Sequence, residues 1–231
     1  MEKFSDYLKA GYPCLWVQTH EEGRCISVLS QQAERYSVYS WDIVGGLLDH
    51  QMDQVRHMPD PIKPLQSIPS LPESSILFLK DFHRFINAIE VIRTVKNLIP
   101  VLKATDRHLV VVSPVLQIPV ELEKDITVLP FLLPTVAELL ETAKRIVQEN
   151  DLSVEVDERA IQAGKGLTLH EAENAMALSL VQEKTFSKKI LEQEKLQAIR
   201  KSGLMELQNP EPLESLGGLD ALKRYLQNRR E

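Results

Sequence analysis

The sequence has 231 residues, 43% of them apolar and 26% charged, with a net charge of −6. That length suits one large domain or a medium one with a small companion, and the composition can fill a packed core without special staples. The acidic balance, with a pI near 5.6, opposes the basic surface that nonspecific nucleic-acid or anionic-membrane binding requires.

In chain order, residues 1–10 read as a short helix with Phe4, Tyr7 and Leu8 on one face, closed by Gly11. Pro13 opens CLWVQT, a buried-strand candidate, and a helix over about 21–36 places Cys25, Val28, Leu29 and Gln32 on one side. VYSWDIV (38–44) alternates as a second strand that Gly45-Gly46 breaks. From His50 to Ser75, Pro59, Pro61, Pro64, Pro69 and Pro72 predict a long surface connection without regular structure. ILFL (76–79), HLVVVS (108–113) and ITVLPF (126–131) are short apolar strands, and the first is followed by KDFHRF and a helix to about Leu102. Apolar strands separated by helices predict a parallel sheet covered on both faces.

After Pro134 the chain reads as all-helical. TVAELLETAKRIVQEN (135–150) carries an apolar stripe of Val136, Leu139, Leu140, Ala143, Ile146 and Val147. A short helix over 157–163 and a capping box at Thr168–Glu171 opening a helix through Val181 follow, then a charged helix over about 187–202. No internal repeat is visible. Only two cysteines occur, Cys14 and Cys25, without ligand or disulfide spacing, and no apolar run approaches the roughly 20 residues that span a bilayer. The opening EKFSDYLKAG has no secretory pattern, so a reduced cytoplasmic setting is expected.

QTHEEGRC (18–25) lies between the first strand and its helix, where a phosphate-binding loop would lie. Strand, loop, helix, a strand ending at Lys80-Asp81, and a strand ending at Ser113-Pro114 together resemble an AAA+ ATPase module with its helical lid. More closely, YPCLWVQTHEEGRC, ILFLKDFHRF, HLVVVSPVLQIPVELEKDITVLPF, GLTLHEAENAMA and EKLQAIRKSGLME resemble the N-terminal portion of a bacterial and cyanobacterial AAA-family ATPase group that also occurs as a chloroplast reading frame. The resemblance covers most of residues 10–206. It implies an α/β fold: a parallel-sheet P-loop or AAA-like domain without a working phosphate loop at 1–134, and a lid-like helical subdomain at 135–206. LESLGGLDALKRYLQNRR (213–230) resembles the helix that leads into an AAA+ core, so 207–231 is expected to be a linker and lead-in helix, and the chain a fragment. In that group an intact ATPase module follows, using ATP and magnesium and assembling through that module as a homo-oligomer; no cofactor is expected within residues 1–231 themselves.

Within the loop only Gly23 survives of the glycines that let backbone approach phosphate, and Arg24 stands in the lysine position. Glu21 and Glu22 would face the phosphates, each like-charge contact at about 4 Å and an effective dielectric of about 20 costing roughly 4 kcal/mol. Lys80 occupies a magnesium-ligand position, a one-residue slip gives Asp81 that role but leaves Phe82 for the catalytic carboxylate, and Pro114 cannot act as a sensor. Gly23, Arg24 and Asp81 are therefore the candidate residues of a degenerate nucleotide site, with no catalytic residue and no metal site.

Simpler readings compete. Glu21 and Glu22 serve the helix dipole; Arg24 pairs with Glu21, Asp42 or Asp81; Asp81 caps the helix after it rather than forming a dyad with His83. Trp16 and Trp41 belong to the core, and the histidines show no ligand spacing. The function expected is a non-catalytic regulatory or interaction domain ahead of an AAA+ motor, with a protein partner or substrate, the Pro-rich 59–72 segment as a contact, and neither nucleic acid nor membrane. The alternative is a nucleotide sensor in which Thr19, Arg24 and Asp81 hold ATP without efficient hydrolysis.

Overall fold

Apolar side chains on both faces of three strands, in the runs 14–17, 76–79 and 109–112, build the centre of the sheet. A computed structural model describes residues 4–49, 51, 53–202, 218 and 220–227. Seven strands are present among them: β1 Cys14–Gln18, β2 Ser37–Asp42, β3 Gly46–Leu48, β4 Gln54–Arg56, β5 Ser75–Lys80, β6 His108–Ser113 and β7 Ile126–Pro130, in the order β4-β3-β2-β5-β6-β1-β7. β2, β5, β6, β1 and β7 run parallel, while β3 and β4 extend the sheet antiparallel beyond β2.

Cys14 and Trp16, Leu77 and Leu79, and Leu109 and Val111 point into one core with Trp41, under α3 (Ile62–Ser67) and α4 (Ile89–Ala104). Their neighbours Leu15 and Val17, Ile76 and Phe78, and Val110 and Val112 point into a second core, under α1 (Phe4–Lys9) and α2 (Glu22–Gln31). Both faces are apolar because parallel strands are covered on both sides.

The segment 50–75 departs from the expected irregular connection. It contains β4, α3 and a 3₁₀ turn at Ile68–Ser70, and Pro64, Leu65, Ser67 and Ile68 are buried. Its prolines sit where a helix tolerates them: Pro61 is the residue before α3, Pro64 lies in the first turn, and Pro69 opens the 3₁₀ turn. The missing N–H has no intrahelical partner there in any case. Gly46, at φ +73°, lets β3 approach β4 closely; a Cβ there would lie 2.5 Å from the Arg56 carbonyl oxygen.

Two elements end two or more residues before the predicted boundary. α2 stops at Gln31 rather than residue 36, because Ala33 and Tyr36 donate to carbonyls three residues back and Tyr36 turns inward to Asp106. β2 stops at Asp42, whose Oδ1 accepts the Val44 and Gly45 amides and turns the chain.

By contact, Met1–Pro134 with Thr168–His170 form one unit, and Thr135–Leu167 with Glu171–Glu231 another. The second contains α5 (Val136–Glu149), α6 (Glu158–Gln162), most of α7 (Leu169–Glu183), α8 (Lys188–Ser202) and α9 (Asp220–Gln227). Thr135 and Glu138 form a reciprocal capping box at the start of α5. The apolar stripe of α5 is buried at Leu139 and Ala143, together with Thr142. Gly164 follows α6 at the place where α5 and α8 approach it: a Cβ there would lie 3.3 Å from the Ile161 carbonyl oxygen and in ordinary contact with Leu191 and Leu139. Ser179 closes the α7–α8 turn by donating to the Thr185 carbonyl and accepting the Ser187 amide. Of the expected lead-in helix, α9 is described; Gly203 and most of 207–231 lie outside the described residues.

Candidate functional site

The carboxyl ends of β1, β5 and β6 lie side by side at Gln18, Lys80 and Ser113, the registers pairing Gln18 with Ser113 and Lys80 with Val112. β1 lies between β6 and β7; it leads through α2 past β6 and β5 to β2, whereas β6 leads past β1 to β7 on the other side, so the connections diverge here. In open α/β sheets ligands bind outside such a switch point. A crevice of about 360 Å³ opens there, lined by Thr19, His20, Glu22, Asp81, Val112, Ser113 and Pro114.

The connection between β1 and α2 has three residues, Thr19, His20 and Glu21. Two of its amides are already engaged: Thr19 N–H donates to the Ser113 carbonyl at 2.9 Å and Glu21 N–H to Thr19 Oγ1 at 3.0 Å. Gly23, Arg24 and Cys25 belong to the first turn of α2 rather than to a loop. Gly23 is exposed, and a Cβ on it would meet open space.

Glu21 is almost wholly enclosed. Its Oε2 takes the Arg24 guanidinium at 2.9 Å, and its Oε1 accepts the amide of Leu169, a residue grouped with this unit, at 2.6 Å. Arg24 also donates to the Leu132 carbonyl at 3.0 Å and lies over the Phe131 ring at 4.8 Å. Of the three carboxylates that the sequence offers to Arg24, Glu21 is therefore the one it pairs with. Together these contacts tie α2 to the chain leaving β7. Glu22 lies in the first turn of α2, where its charge favours the helix dipole.

Lys80 is 12% exposed and lies between Asp42 Oδ2 at 3.8 Å and Glu22 Oε1 at 4.0 Å. Its ammonium therefore faces two carboxylates. Asp81 is 63% exposed and takes a left-handed backbone conformation at φ +50°. It precedes the 3₁₀ turn Phe82–Arg84, but its side chain makes no cap bond, contrary to the capping expected from sequence; only its carbonyl accepts, from Arg84 N–H. Left-handed geometry aims the carboxylate away from the orphan amides that an extended N-cap residue reaches.

The strand ends also bring together residues that the sequence kept apart. Ser113 Oγ lies 2.7 Å from His83 Nδ1, both side chains being buried, and Asp81 Oδ1 lies 3.8 Å from that same nitrogen. A nucleophile relay needs the serine and the carboxylate on opposite ring nitrogens. Here both converge on one, and Ser113 Oγ also donates to the Val115 carbonyl and accepts the Val115 amide. The pair fastens the β6 exit to the turn after β5. The i to i+2 bond was legible at Ser113-Pro114-Val115; the contact across 30 residues was not.

Cys14 and Cys25 are buried, and burial pushes both thiols up to about 12, with Asp125 raising Cys14 further and the Arg24 guanidinium partly offsetting the effect at Cys25. Neither is a ready nucleophile, since reactivity requires thiolate. Trp16 and Trp41 are fully buried, Trp41 donating to the Met58 carbonyl at 2.9 Å. Among the described residues no three His, Cys, Asp or Glu side chains are grouped to hold a metal ion, and no helix is long and apolar enough to cross a membrane.

Residues 1–131 match the family described as SpoVK-like AAA ATPase, N-terminal domain, and residues 137–202 match SpoVK-like AAA ATPase, second domain. The "Uncharacterized AAA domain-containing protein ycf46" of Guillardia theta is 30% identical over 99% of this chain and 47% of its own length. The protein of the same description from Trieres chinensis is 31% identical over 99% of this chain and 49% of its own. The chain thus spans about half the length of the curated relatives it matches. Among solved structures, the Thermotoga maritima RuvB Holliday junction branch migration motor superposes with a TM-score of 0.51 at 16% identity, covering 84% of this chain and 68% of that one, a likeness of fold. The parallel sheet with its helical continuation is thus an AAA arrangement, and the chain belongs to the SpoVK-like AAA ATPase family.

Proposed function

We propose that this chain is the non-catalytic N-terminal regulatory and interaction portion of an AAA+ ATPase, with ATP hydrolysis carried by a C-terminal module. Residues 1–134 serve as a degenerate P-loop-like domain, 135–206 as a lid-like subdomain and 207–231 as linker and lead-in helix. The observation that carries this reading is the three-residue connection between β1 and α2. A phosphate loop wraps a nucleotide with a run of free amides on glycine-rich backbone. Three residues, two of whose amides are engaged, do not supply that run.

The side chains support the same reading. Arg24 is committed to Glu21, Leu132 and Phe131, and Glu22 borders the crevice where phosphate charge would gather. Lys80 would repel magnesium, and Asp81 offers one exposed carboxylate where a metal and a water call for two. ATP with magnesium therefore does not fit the residues present; both belong to the following module. The partner is a protein, in the cytoplasm, and homo-oligomer contacts reside in that module. The net charge of −6 weighs against nucleic acid.

Isothermal titration with a slowly hydrolysed ATP analogue and magnesium tests the proposal: no heat is expected at near-millimolar ligand, whereas the longer protein hydrolyses ATP. Micromolar binding would overturn it and favour a nucleotide sensor using Gly23, Arg24, Thr19 and Asp81. The crevice bordered by Thr19 and Asp81 supports that second reading. In that case ATP would raise the melting temperature, and Arg24→Ala would abolish the rise.

A further inference from the structure

A groove of about 990 Å³ runs beside α2, separate from the crevice at the strand ends. Its wall is the α2 face carrying Ile26, Ser27 and Ser30, and its floor is β2 at Val38 and Ser40, with Val55 of β4 beyond. It exists because the sheet continues past β2 into β3 and β4 while α2, ten residues long, does not reach over them. On the opposite face the same strands are covered, with Trp41, Leu47 and Met58 buried.

Two independent features indicate an occupant. Ser40 is 2% exposed, and its Oγ has no hydrogen-bond partner although it lines the groove. A buried hydroxyl left unpaired is costly, so it calls for a polar atom supplied from outside. The charge around the groove is also one-sided. Glu34 and Asp49 line it, and Glu22 and Asp42 flank Lys80, the single lining cation among the described residues, at 4.0 and 3.8 Å. Two carboxylates thus line the groove and two more neutralise its ammonium, and Val55, 52% exposed, adds an apolar contact.

We infer that this groove docks an amphipathic, lysine- or arginine-bearing helical segment of a partner protein. Its apolar side chains lie on Ile26, Val38 and Val55, one of its polar groups pairs with Ser40 Oγ, and its cations meet the carboxylate rim. This is the helix-in-groove mode, with α2 as the neighbouring helix. The inference rests on the interaction-domain reading above and names the partner's chemistry and its seat.

The test uses the full 231-residue chain with two fluorescent 18-residue helical probes, one of leucine and lysine and one of leucine and glutamate, read by anisotropy. The lysine probe is expected to bind saturably and the glutamate probe not. Ser27 is exposed and lies outside the candidate nucleotide crevice, so Ser27→Trp should block the groove and weaken binding roughly tenfold at an unchanged melting temperature. Glu34→Lys, at the exposed rim, should weaken it about threefold, an effect that shrinks with salt. Glu90→Lys on α4 should leave it unchanged.

Equal binding of both probes, or indifference to Ser27→Trp and Glu34→Lys alike, would overturn the inference. So would self-association of the chain that Ser27→Trp abolishes, which would assign the groove to a second copy. Should Ser27→Trp lower the melting temperature, Glu34→Lys decides. Heat with the ATP analogue alongside groove-dependent probe binding breaks the nucleotide-free reading alone; no heat and no probe binding breaks this inference alone.

Discussion

The two faces of the sheet differ in how completely the chain covers them. Over β2 and β3 one face is sealed by the segment 58–71, with Trp41, Leu47, Met58, Leu65 and Ile68 all buried, while the other leaves Val38 half-covered beside the groove. A closed face holds the fold together; an open one on the same strands costs stability and is available to a partner. Substitutions on the two faces should therefore differ in cost, and that difference is measurable.

The largest effect is expected at Trp41→Ala, which removes the ring packed edge-on against Phe82 and Phe85 and leaves the Met58 carbonyl without its donor. A loss of about 3–5 kcal/mol by denaturant titration is the expected result. A loss below about 1 kcal/mol would mean that this face is not sealed as described.

Next comes Arg24→Ala, which strands the enclosed Glu21 carboxylate with one amide donor. About 2–3 kcal/mol is expected, less than for a wholly buried pair because the amide remains. The double substitution Arg24→Ala/Glu21→Gln should cost less than the sum of the singles, and strict additivity would refute the clamp.

The thiols give a pH signature. Both cysteines titrate near 12 when folded against 9.0 when exposed, so only the unfolded chain releases these protons between those values. Their contribution to stability is present below pH 9 and lost as pH rises toward 12. Cys25→Ala should shallow that decline in urea titrations across the range, and native thiols should resist a thiol reagent at pH 8 until the protein unfolds. The smallest effect is expected at Val38→Ala on the open face, about 1 kcal/mol or less. A cost equal to that of Trp41→Ala would erase the contrast between the faces.

How much is legible varies with the kind of signal. β5 and β6 are plain as apolar runs bounded by polar turns, and β6 begins and ends where expected. In the Pro-rich segment proline content misleads, because position within the turn, not number, decides whether a helix forms. β4 carries three exposed residues and gives no burial pattern at all. At the strand ends, an ungapped motif lays eight residues, 18–25, on a phosphate loop, whereas the helix read from about residue 21 begins at Glu22 and leaves a connection of three. Sequence correctly offers Glu21 as a partner for Arg24, a local pair three residues apart across the start of α2. It does not pair Ser113 with His83 or Lys80 with Asp42, since those meet only through strand register.

The sequence by itself determined the class of fold, the family, both tryptophans as core and the acidic character, because periodicity, composition and motif order are written along the chain. Tertiary structure alone decided that Arg24 is a clamp, that Ser113 and Asp81 converge on one nitrogen of His83, and that one face of β2 lies open with Ser40 unpaired. Each of these depends on which strand lies beside which and on how far a helix reaches, distances that exist only once the sheet has closed.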